Sequence, residues 1–222
     1  MIHLSDHKAF AIGNHRAIYT HPHRRDRCVK VNHAHMPPAL KRQLVPWYQR
    51  FRRSFHFDEN LAELRQITKI HDRATTTCLS IPTVEGMVET DLGPGLVVEL
   101  ITDANGSISR TAIEYVKLFG YTPEVKTALN NLRSSMVQHN IQLKDPGTSN
   151  IVFQQREDHT LRAVIIDGLG APTILPIHRL SPKHSTMRID AKISKIKRRL
   201  KKTKTLNSGG KETPTDLLQI RE

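Results

Sequence analysis

The chain has 222 residues, of which 37% are hydrophobic, so it can bury the core of one domain or of two joined lobes. Its 34 basic and 21 acidic residues give a net charge of +13, which favours anionic partners such as nucleotides, nucleic acid or a membrane surface. Two widely separated cysteines argue against a disulfide framework, and no apolar run is long enough for a membrane span or a signal peptide, so we expect a cytoplasmic protein.

The first predicted elements are two strands that form a hairpin. In "FAIGNHRAIYTHP", Gly13 separates two short apolar runs, and in "DRCVKVN" the charged Lys30 lies between Val29 and Val31. A lysine in such a strand either extends along the solvent face or has a functional role. The histidines of "HPH" and "HAH" that flank Cys28 lack the spacing of a common zinc site, so we interpret them as part of a basic, solvated surface.

A helix is predicted after the hairpin. The stretch "FDENLAELRQITKIHDR" repeats apolar residues every three positions, and Asp58 is a suitable N-cap. The repeating residues are Leu61, Leu64, Ile67 and Ile70. Glu63 lies four and seven positions before the last two of them. It therefore borders the buried face of the helix, although an ordinary exposed position is the alternative.

Two further strands and a junction complete the first half. "IPTVEGMVETDLGPGLVVELI" predicts two strands joined by a turn in which Gly93, Pro94 and Gly95 supply the geometry. The polar stretch "TDANGS" then ends the apolar pattern, as expected between lobes. We therefore predict an N-terminal lobe over residues 1–102, a C-terminal lobe over 103–204 and a disordered tail over 205–222, where the sequence is polar and lacks a packing period.

The second half begins with predicted helices. "SRTAIEYVKLFG" and "TPEVKTALNNLRSSMVQHN" have helical periodicity, with Ser109 and Thr122 as predicted caps. Two short strands follow, in "SNIVF" and "RAVIIDGLG", with Asp145 before the first and Asp167 after the second. Asp145 and Asn150 are five positions apart in "DPGTSN", which by itself also fits a simple capped turn.

A basic helix is predicted near the C terminus. In "MRIDAKISKIKRRLKKTK", apolar residues recur at spacings of four, three and four and make one stripe among the lysines and arginines. They are Ile189, Ile193, Ile196 and Leu200. Either this stripe packs on the C-terminal lobe, or residues 188–204 dock on an anionic partner such as a membrane or nucleic acid.

The order of these elements is that of a small, two-lobed protein-kinase-like fold, an α+β class with a strand-rich N-lobe containing one helix and a mostly helical C-lobe. In that fold a strand lysine reaches the nucleotide phosphates and a helix glutamate holds the lysine, roles that fit Lys30 and Glu63. Asp145 and Asn150 have the D-x-x-x-x-N spacing of a catalytic loop, in which Asp145 orients the acceptor hydroxyl. Asn150 and Asp167 supply hard oxygen ligands for Mg²⁺. The predicted cofactors are therefore ATP and Mg²⁺.

Several stretches also carry a resemblance to a known family. They are "IGNHRAIYTHPHRRDRCVKV", "LAELRQI", "IPTVEGMVETDLGPGLVVELITDANG", "SNIVF" and "DGLGAPTILPI", which together cover roughly residues 4–180. Through them the chain resembles the YrbL family of small bacterial proteins, described as PhoP regulatory network proteins and grouped with the kinase-like superfamily. The resemblance implies a kinase-like fold and does not define a biochemical activity.

Departures from ordinary kinases leave two functions open. The phosphate-covering loop offers only Gly13, so His15 and Arg16 are candidate donors in place of further glycines. The lysine that kinases carry two positions after the catalytic aspartate is absent. If the loop carries an insertion, Gln142 rather than Asp145 takes the catalytic position. The protein is then either an ATP-dependent phosphotransferase with a small-molecule or protein acceptor, or a degenerate, pseudokinase-type binding module.

Overall fold

The computed structural model describes several stretches of the chain. They are residues 1–34, 37–44, 47, 57–74, 80–170 and 181–205. Contacts along the backbone divide the chain into two compact units, Met1–Ile101 and Thr102–Glu222. Residues 206–222 of the predicted tail, and Cys78, lie outside the described stretches.

The first unit is built on a five-stranded antiparallel sheet. Its strands are β1 (Ala11–Ile12), β2 (Arg16–His21), β3 (Arg24–Asn32), β4 (Val84–Thr90) and β5 (Gly93–Glu99), in the spatial order β1-β2-β3-β5-β4. Strand β3 is therefore central, with Lys30 opposite Ile18 on β2 and Leu96 on β5. Both predicted strand pairs are confirmed.

Two helices of the first unit are described, α1 (Pro38–Leu44) and α2 (Glu59–Arg73). Helix α2 is the predicted one, and it begins where predicted because the Asp58 carboxylate accepts hydrogen bonds from two backbone N–H groups of the first turn, at 2.9 and 3.2 Å. Ile67 of the predicted apolar stripe is fully buried, and Leu64 packs against the sheet beside Cys28. The sequence pattern does not predict the short helix α1.

The turn between β4 and β5 is shorter than predicted. Asp91 and Leu92 alone form it, and Gly93, Pro94 and Gly95 belong to strand β5. The Asp91 carboxylate fixes the turn by accepting two backbone hydrogen bonds from the N-terminal segment, at 2.7 and 3.1 Å. Position 95 requires glycine because strand β3 approaches closely, and an added Cβ would lie only 2.6 Å from a valine methyl group on that strand.

The second unit combines a small antiparallel sheet with helices. The strands are β6 (Arg110–Thr111), β7 (Ile151–Gln155) and β8 (Leu161–Ile165), in that spatial order. The described helices are α3 (Ala112–Phe119), α4 (Pro123–Gln138) and α5 (Pro182–Lys201). The α+β class and the two predicted short strands of this unit are confirmed.

The caps of the first two helices in this unit differ in how well the sequence predicts them. Thr122 caps α4 as predicted. The predicted cap of α3, Ser109, is wrong, because the helix begins two residues later and Thr111 caps it in a reciprocal pair with Glu114. The hydroxyl of Ser109 instead donates to the Asp103 carboxylate at 2.6 Å.

Helix α5 is the predicted basic helix, and its apolar stripe is buried within the second unit. The buried residues are Ser185, Ile189, Ile193, Ile196 and Leu200. Polar contacts with α4 add to this packing, with Arg133 bound to Asp190 at 2.5 Å and Lys197 to Asn130 at 2.6 Å. The stripe therefore packs on the second unit, the first of the two alternatives, and only the basic face remains for an anionic partner. Across the described residues, no helix has the length and apolar character to cross a membrane.

Candidate functional site

A buried ion pair joins the central strand of the first unit to helix α2. The ammonium of Lys30 lies 2.6 Å from Oε1 of Glu63, and the two residues are only 4% and 8% exposed. Alternation along β3 places Lys30 on the same face as Cys28, the face against which α2 packs. The solvent-facing alternatives for Lys30 and Glu63 are therefore wrong, and the predicted pair of residues is in contact.

Two further residues complete a cluster around Glu63. The guanidinium of Arg16 binds Oε2 of Glu63 and lies 3.3 Å from Oδ1 of Asn60. The side chain of Asn60 in turn donates to the backbone carbonyl of Lys30 at 2.9 Å. Glu63 thus holds two cations from neighbouring strands, and α2 is fixed to β3 through both side chains and backbone.

The sequence does not predict the role of Asn60, and it predicts a different partner for Arg16. The sequence predicts that Arg16 donates toward a phosphate, whereas the structure shows its guanidinium on Glu63. The signal lies in the strand register, because Arg16 is two residues from Ile18, the partner of Lys30, and so shares its face. Asn60 lies one helical turn before Glu63, on the same side of α2.

The single-glycine hairpin between β1 and β2 is closed by its own backbone. The N–H of Gly13 donates to the carbonyl of Arg16 at 2.8 Å, and the Gly13 carbonyl lies 2.9 Å from Nε2 of His33. An added Cβ on Gly13 would meet only the Arg16 carbonyl, at 3.6 Å. The side chain of His15 is exposed. The fold itself therefore accepts a larger residue than glycine at position 13.

Cys28 is a packing residue of this unit. Burial raises the pKa of its thiol to about 11, and the side chain packs against Leu96 and Val98 on the sheet. A thiol with that pKa is protonated at neutral pH and therefore a poor nucleophile. Cys28 contributes volume to the sheet beside Lys30.

In the second unit, the loop between α4 and β7 is joined to the segment that follows β8. The N–H of Lys144 donates to the carbonyl of Gly168 at 2.8 Å, and the N–H of Gly170 donates to the carbonyl of Gln142 at 2.8 Å. The N–H of Ile166 also donates to the carbonyl of Asn150, at 2.9 Å. These bonds hold "DPGTSN" beside "DGLG".

Two of the predicted polar residues of this unit, Asp145 and Asn150, lie side by side at that junction, and the backbone of Asp167 is next to them. A Cβ on Gly147 would lie 2.9 Å from Nδ2 of Asn150 and 3.4 Å from Oδ2 of Asp145, and one on Gly168 would lie 3.0 Å from the same Asn150 nitrogen. The Asn150 amide is therefore packed between two glycines, with the Asp145 carboxylate next to it. Asp167 is adjacent to Gly168, is exposed, and accepts the N–H of that glycine at 2.6 Å.

The side chain of Gln142, the alternative to Asp145, points elsewhere. Its amide nitrogen donates to the hydroxyl of Ser185 at 2.8 Å and lies 3.3 Å from Oδ1 of Asn140, and the residue is buried. Asp145, by contrast, is exposed. In the described geometry Gln142 fastens the loop to α5, whereas Asp145 is accessible to another molecule.

Helix α5 supplies two cations to the same loop, which sequence reasoning missed. Lys192 donates to the carbonyl of Lys144 at 3.1 Å, and Arg199 donates to the carbonyl of Pro146 at 2.9 Å. Partial burial lowers the pKa of Lys192. The nearby charges of Lys195 and Arg188 lower this pKa further, and the carboxylate of Asp145 raises it. Lys192 therefore lies within the electrostatic reach of Asp145.

The chemistry of the predicted residues Lys30, Asp145, Asn150 and Asp167 fits a nucleotide and Mg²⁺. Lysine and arginine are the side chains that bind phosphate, and carboxylate or amide oxygens are the ligands that Mg²⁺ prefers. The described residues contain no group of three or more His, Cys, Asp or Glu arranged to hold a metal ion. A nucleotide-bound Mg²⁺ does not require one, since phosphate oxygens and water complete its shell around one or two protein ligands.

The first unit has a strand lysine held by a helix glutamate, and the second has a D-x-x-x-x-N loop joined to a second aspartate. These are features of a kinase-like fold. The sequence pattern of one family covers almost the whole chain, residues 2–201. The chain belongs to that family, the PhoP regulatory network protein YrbL family.

Individual relatives and solved structures match as well. Proteins with the name "Uncharacterized protein YrbL" from Escherichia coli (strain K12) and Shigella flexneri are each 25% identical over 180 residues, which is 80% of this chain and 77% of the relative. Two crystal structures of WbdD, one a co-crystal with the kinase inhibitor LY294002, have TM-scores of 0.42 and 0.44 at 11% and 13% identity. They match 80% and 85% of this chain, which spans 35% and 44% of the WbdD chains.

Proposed function

We propose that this protein is an ATP- and Mg²⁺-dependent phosphotransferase that acts on the hydroxyl of a small-molecule or protein acceptor. The observation that carries the proposal is the buried contact between Lys30 and Glu63, with Arg16 on the other oxygen of the same carboxylate. Kinases use such a pair to hold a lysine against nucleotide phosphates.

Stability alone does not account for this cluster. Removing two charges from water costs several kcal/mol per ion, roughly what their attraction returns, so an apolar pair of similar volume stabilises a fold at least as well. Strand β3 is otherwise apolar at its centre, where Cys28, Val29 and Val31 are buried. We infer that the role of Lys30 at this position is to bind an anionic ligand.

The roles of the other residues follow from their chemistry. Asn150 and Asp167 would hold Mg²⁺, which neutralises the phosphate oxygens. Asp145 would accept the proton of the acceptor hydroxyl, whose oxygen forms a bond to the terminal phosphorus. The bond from that phosphorus to the bridging oxygen breaks at the same step, and ADP leaves with its electron pair.

A second candidate is a binding module that retains the nucleotide but does not transfer phosphate. The engagement of Arg16 with Glu63 favours it, because that arginine is then committed to the protein and the hairpin keeps only Gly13. In this version the basic face of α5, within residues 188–204, would meet an anionic partner by charge alone.

Turnover separates the two candidates. Purified full-length protein should release ADP from ATP in the presence of Mg²⁺, and Asp145→Ala and Asp167→Ala should each lower the rate at least a hundredfold. Asp158→Ala is the matched control, since Asp158 is bound only locally, to Thr160 in the turn between β7 and β8. Equal rates in the wild type and the three variants would refute the phosphotransferase and favour the binding module.

A further inference from the structure

The loop that contains Asp145 lacks a cation that kinase catalytic loops carry. The position two residues after the aspartate, where kinases have a lysine, is Gly147. Lys144 precedes Asp145 and its side chain is exposed. A phosphoryl group in transfer carries negative charge on three oxygens, so a site without that lysine needs a cation from another element.

Helix α5 holds an ammonium group at this loop. Lys192 Nζ is hydrogen-bonded to the backbone carbonyl of Lys144, at 3.1 Å, directly before Asp145. This bond uses one of the three donors of an ammonium group. The remaining donors give Lys192 the capacity to bind an anion while it stays attached to the loop.

The position of Lys192 is set by the packing of its helix. One residue on, Ile193 is buried in the second unit, and Asp190 is bound to Arg133 of α4. A side chain on a helix fixed in this way loses less conformational freedom on binding a ligand than one on a mobile loop. Lys192 is therefore preorganised beside Asp145.

We infer that Lys192 takes the place of the missing loop lysine and binds the terminal phosphate of the nucleotide beside Asp145. The inference rests on the proposed nucleotide function and adds a phosphate-binding residue to it. It also assigns a phosphate-binding function to the basic helix α5 within the second unit. The other lysines of the helix are not required for this function.

The test compares two nucleotides that differ by the terminal phosphate. Dissociation constants for Mg·ATP and Mg·ADP are measured by calorimetry on the full chain, for the wild type, Lys192→Met and Lys192→Arg. We expect Lys192→Met to weaken Mg·ATP binding about tenfold and to leave Mg·ADP within about twofold, since one charge-assisted contact to the terminal phosphate is lost. Lys192→Arg should recover most of the preference for ATP.

Two control variants separate this role from simple anchoring of the loop. Arg199→Met removes an equivalent bond, to the carbonyl of Pro146, and Lys195→Met removes an exposed charge one turn along the helix. Both should keep the preference of the wild type for ATP. A loss of that preference in Arg199→Met equal to that in Lys192→Met, or a parallel loss for ATP and ADP, would overturn the inference.

The failure of the proposed function has a different signature. If the wild type binds neither nucleotide, the nucleotide site itself is refuted, and the role of Lys192 falls with it. If the wild type prefers Mg·ATP and Lys192→Met keeps the same preference, the nucleotide site stands and only the role of Lys192 is refuted. Far-ultraviolet circular dichroism and the unfolding midpoint confirm that each variant is folded.

Discussion

Glu63 is the residue on which the buried cluster of the first unit depends. Its two carboxylate oxygens bind Lys30 and Arg16, and no member of the three is more than 8% exposed. Removing the carboxylate leaves two buried cations close together. Removing the ammonium of Lys30 leaves Glu63 still paired with Arg16, so the two changes have different consequences.

We expect Glu63→Ala to lower the free energy of unfolding by about 3–5 kcal/mol, the cost of leaving a buried charge without its partner. Lys30→Met keeps the length of the side chain and the other ion pair, so its cost should be clearly smaller. Urea unfolding followed by circular dichroism measures both. Asp72→Ala, at an exposed position of α2, is the control and should change stability by no more than about 0.5 kcal/mol. Equal losses in the two cluster variants would contradict this account.

Gly13 offers a test in which stability and binding separate. The hairpin accepts a Cβ there at 3.6 Å from the nearest atom, so Gly13→Ala should leave stability unchanged or raise it by about 0.4–1 kcal/mol through the unfolded chain. If the backbone of this hairpin approaches phosphates, Mg·ATP affinity should fall, as calorimetry would show. Gly95→Ala is the contrasting control, since its Cβ would clash with Val29 at 2.6 Å and destabilise the sheet. Unchanged affinity in Gly13→Ala would remove Gly13 from the nucleotide site.

Helix α2 is attached to its sheet by several polar contacts. Its cap residue Asp58 accepts a hydrogen bond from Asn32 at 3.0 Å, Asn60 donates to the backbone of β3, and Glu63 closes the ion pairs. In regulated kinases the corresponding helix moves and takes its glutamate away from the lysine. Here polar contacts over the first two turns of α2 join the helix to β3 and keep Glu63 on Lys30.

The N-terminal segment is attached to the turn between β4 and β5 by the charge of Asp91. Hydrogen bonding by Ser5, then by the N–H of Leu4, lowers the pKa of Asp91 from 3.8 to about 2. A carboxyl group whose pKa is lower in the folded than in the unfolded state contributes its full stabilisation at pH values above the unfolded pKa. This contribution is lost as the pH falls from about 4 to about 2. Asp91→Asn should therefore be less stable than the wild type at pH 7, with the difference shrinking over that range. Urea titrations at pH 7, 4 and 2.5 measure it, and a difference independent of pH would exclude the charge as the cause.

Periodicity and residue type predict most of the elements and their order. The alternation in "DRCVKVN" and the cap at Asp58 lead to the correct strand and helix, and the pairing of Lys30 with Glu63 follows from the order of elements. The cluster is harder to predict, because the contact of Arg16 depends on the register of β2 against β3, which side-chain alternation alone does not fix.

In the second unit, too, the sequence predicts the site residues but not all of their contacts. Asp145, Asn150 and Asp167 are recognisable by their spacing and strand context. The contact of Lys192 with the same loop joins residues 48 positions apart, and it depends on how α5 packs. No local pattern in a lysine-rich helix distinguishes one lysine from its neighbours. Gly95 misleads for the related reason that the close approach of strand β3, rather than a turn, requires it, whereas Gly93 has a φ of 103° directly after the turn, a conformation that favours glycine.

For the molecule as a whole, the net charge of +13 overstates the cationic surface available to partners. Besides Lys192, other cations of α5 are hydrogen-bonded within the second unit, among them Lys197 and Arg199. The apolar stripe of the same helix is buried, so insertion of that stripe into a membrane would require the helix to leave the unit. The charges outside the proposed nucleotide site therefore act on an anionic ligand mainly through long-range attraction, which salt screens.

Ligand-induced stabilisation of the whole chain tests nucleotide binding independently of turnover. A ligand that binds only the folded state at a hundred times its dissociation constant adds about 2.7 kcal/mol to stability. Mg·ATP should therefore raise the thermal unfolding midpoint by several degrees in the wild type, measured by differential scanning fluorimetry. Asp145→Ala should show the same rise, because that carboxylate is assigned to the acceptor hydroxyl and not to the nucleotide. Lys30→Met should show little or none. A rise in all three proteins would place the nucleotide away from Lys30, whereas a rise in the first two without any turnover in the wild type would identify the binding module.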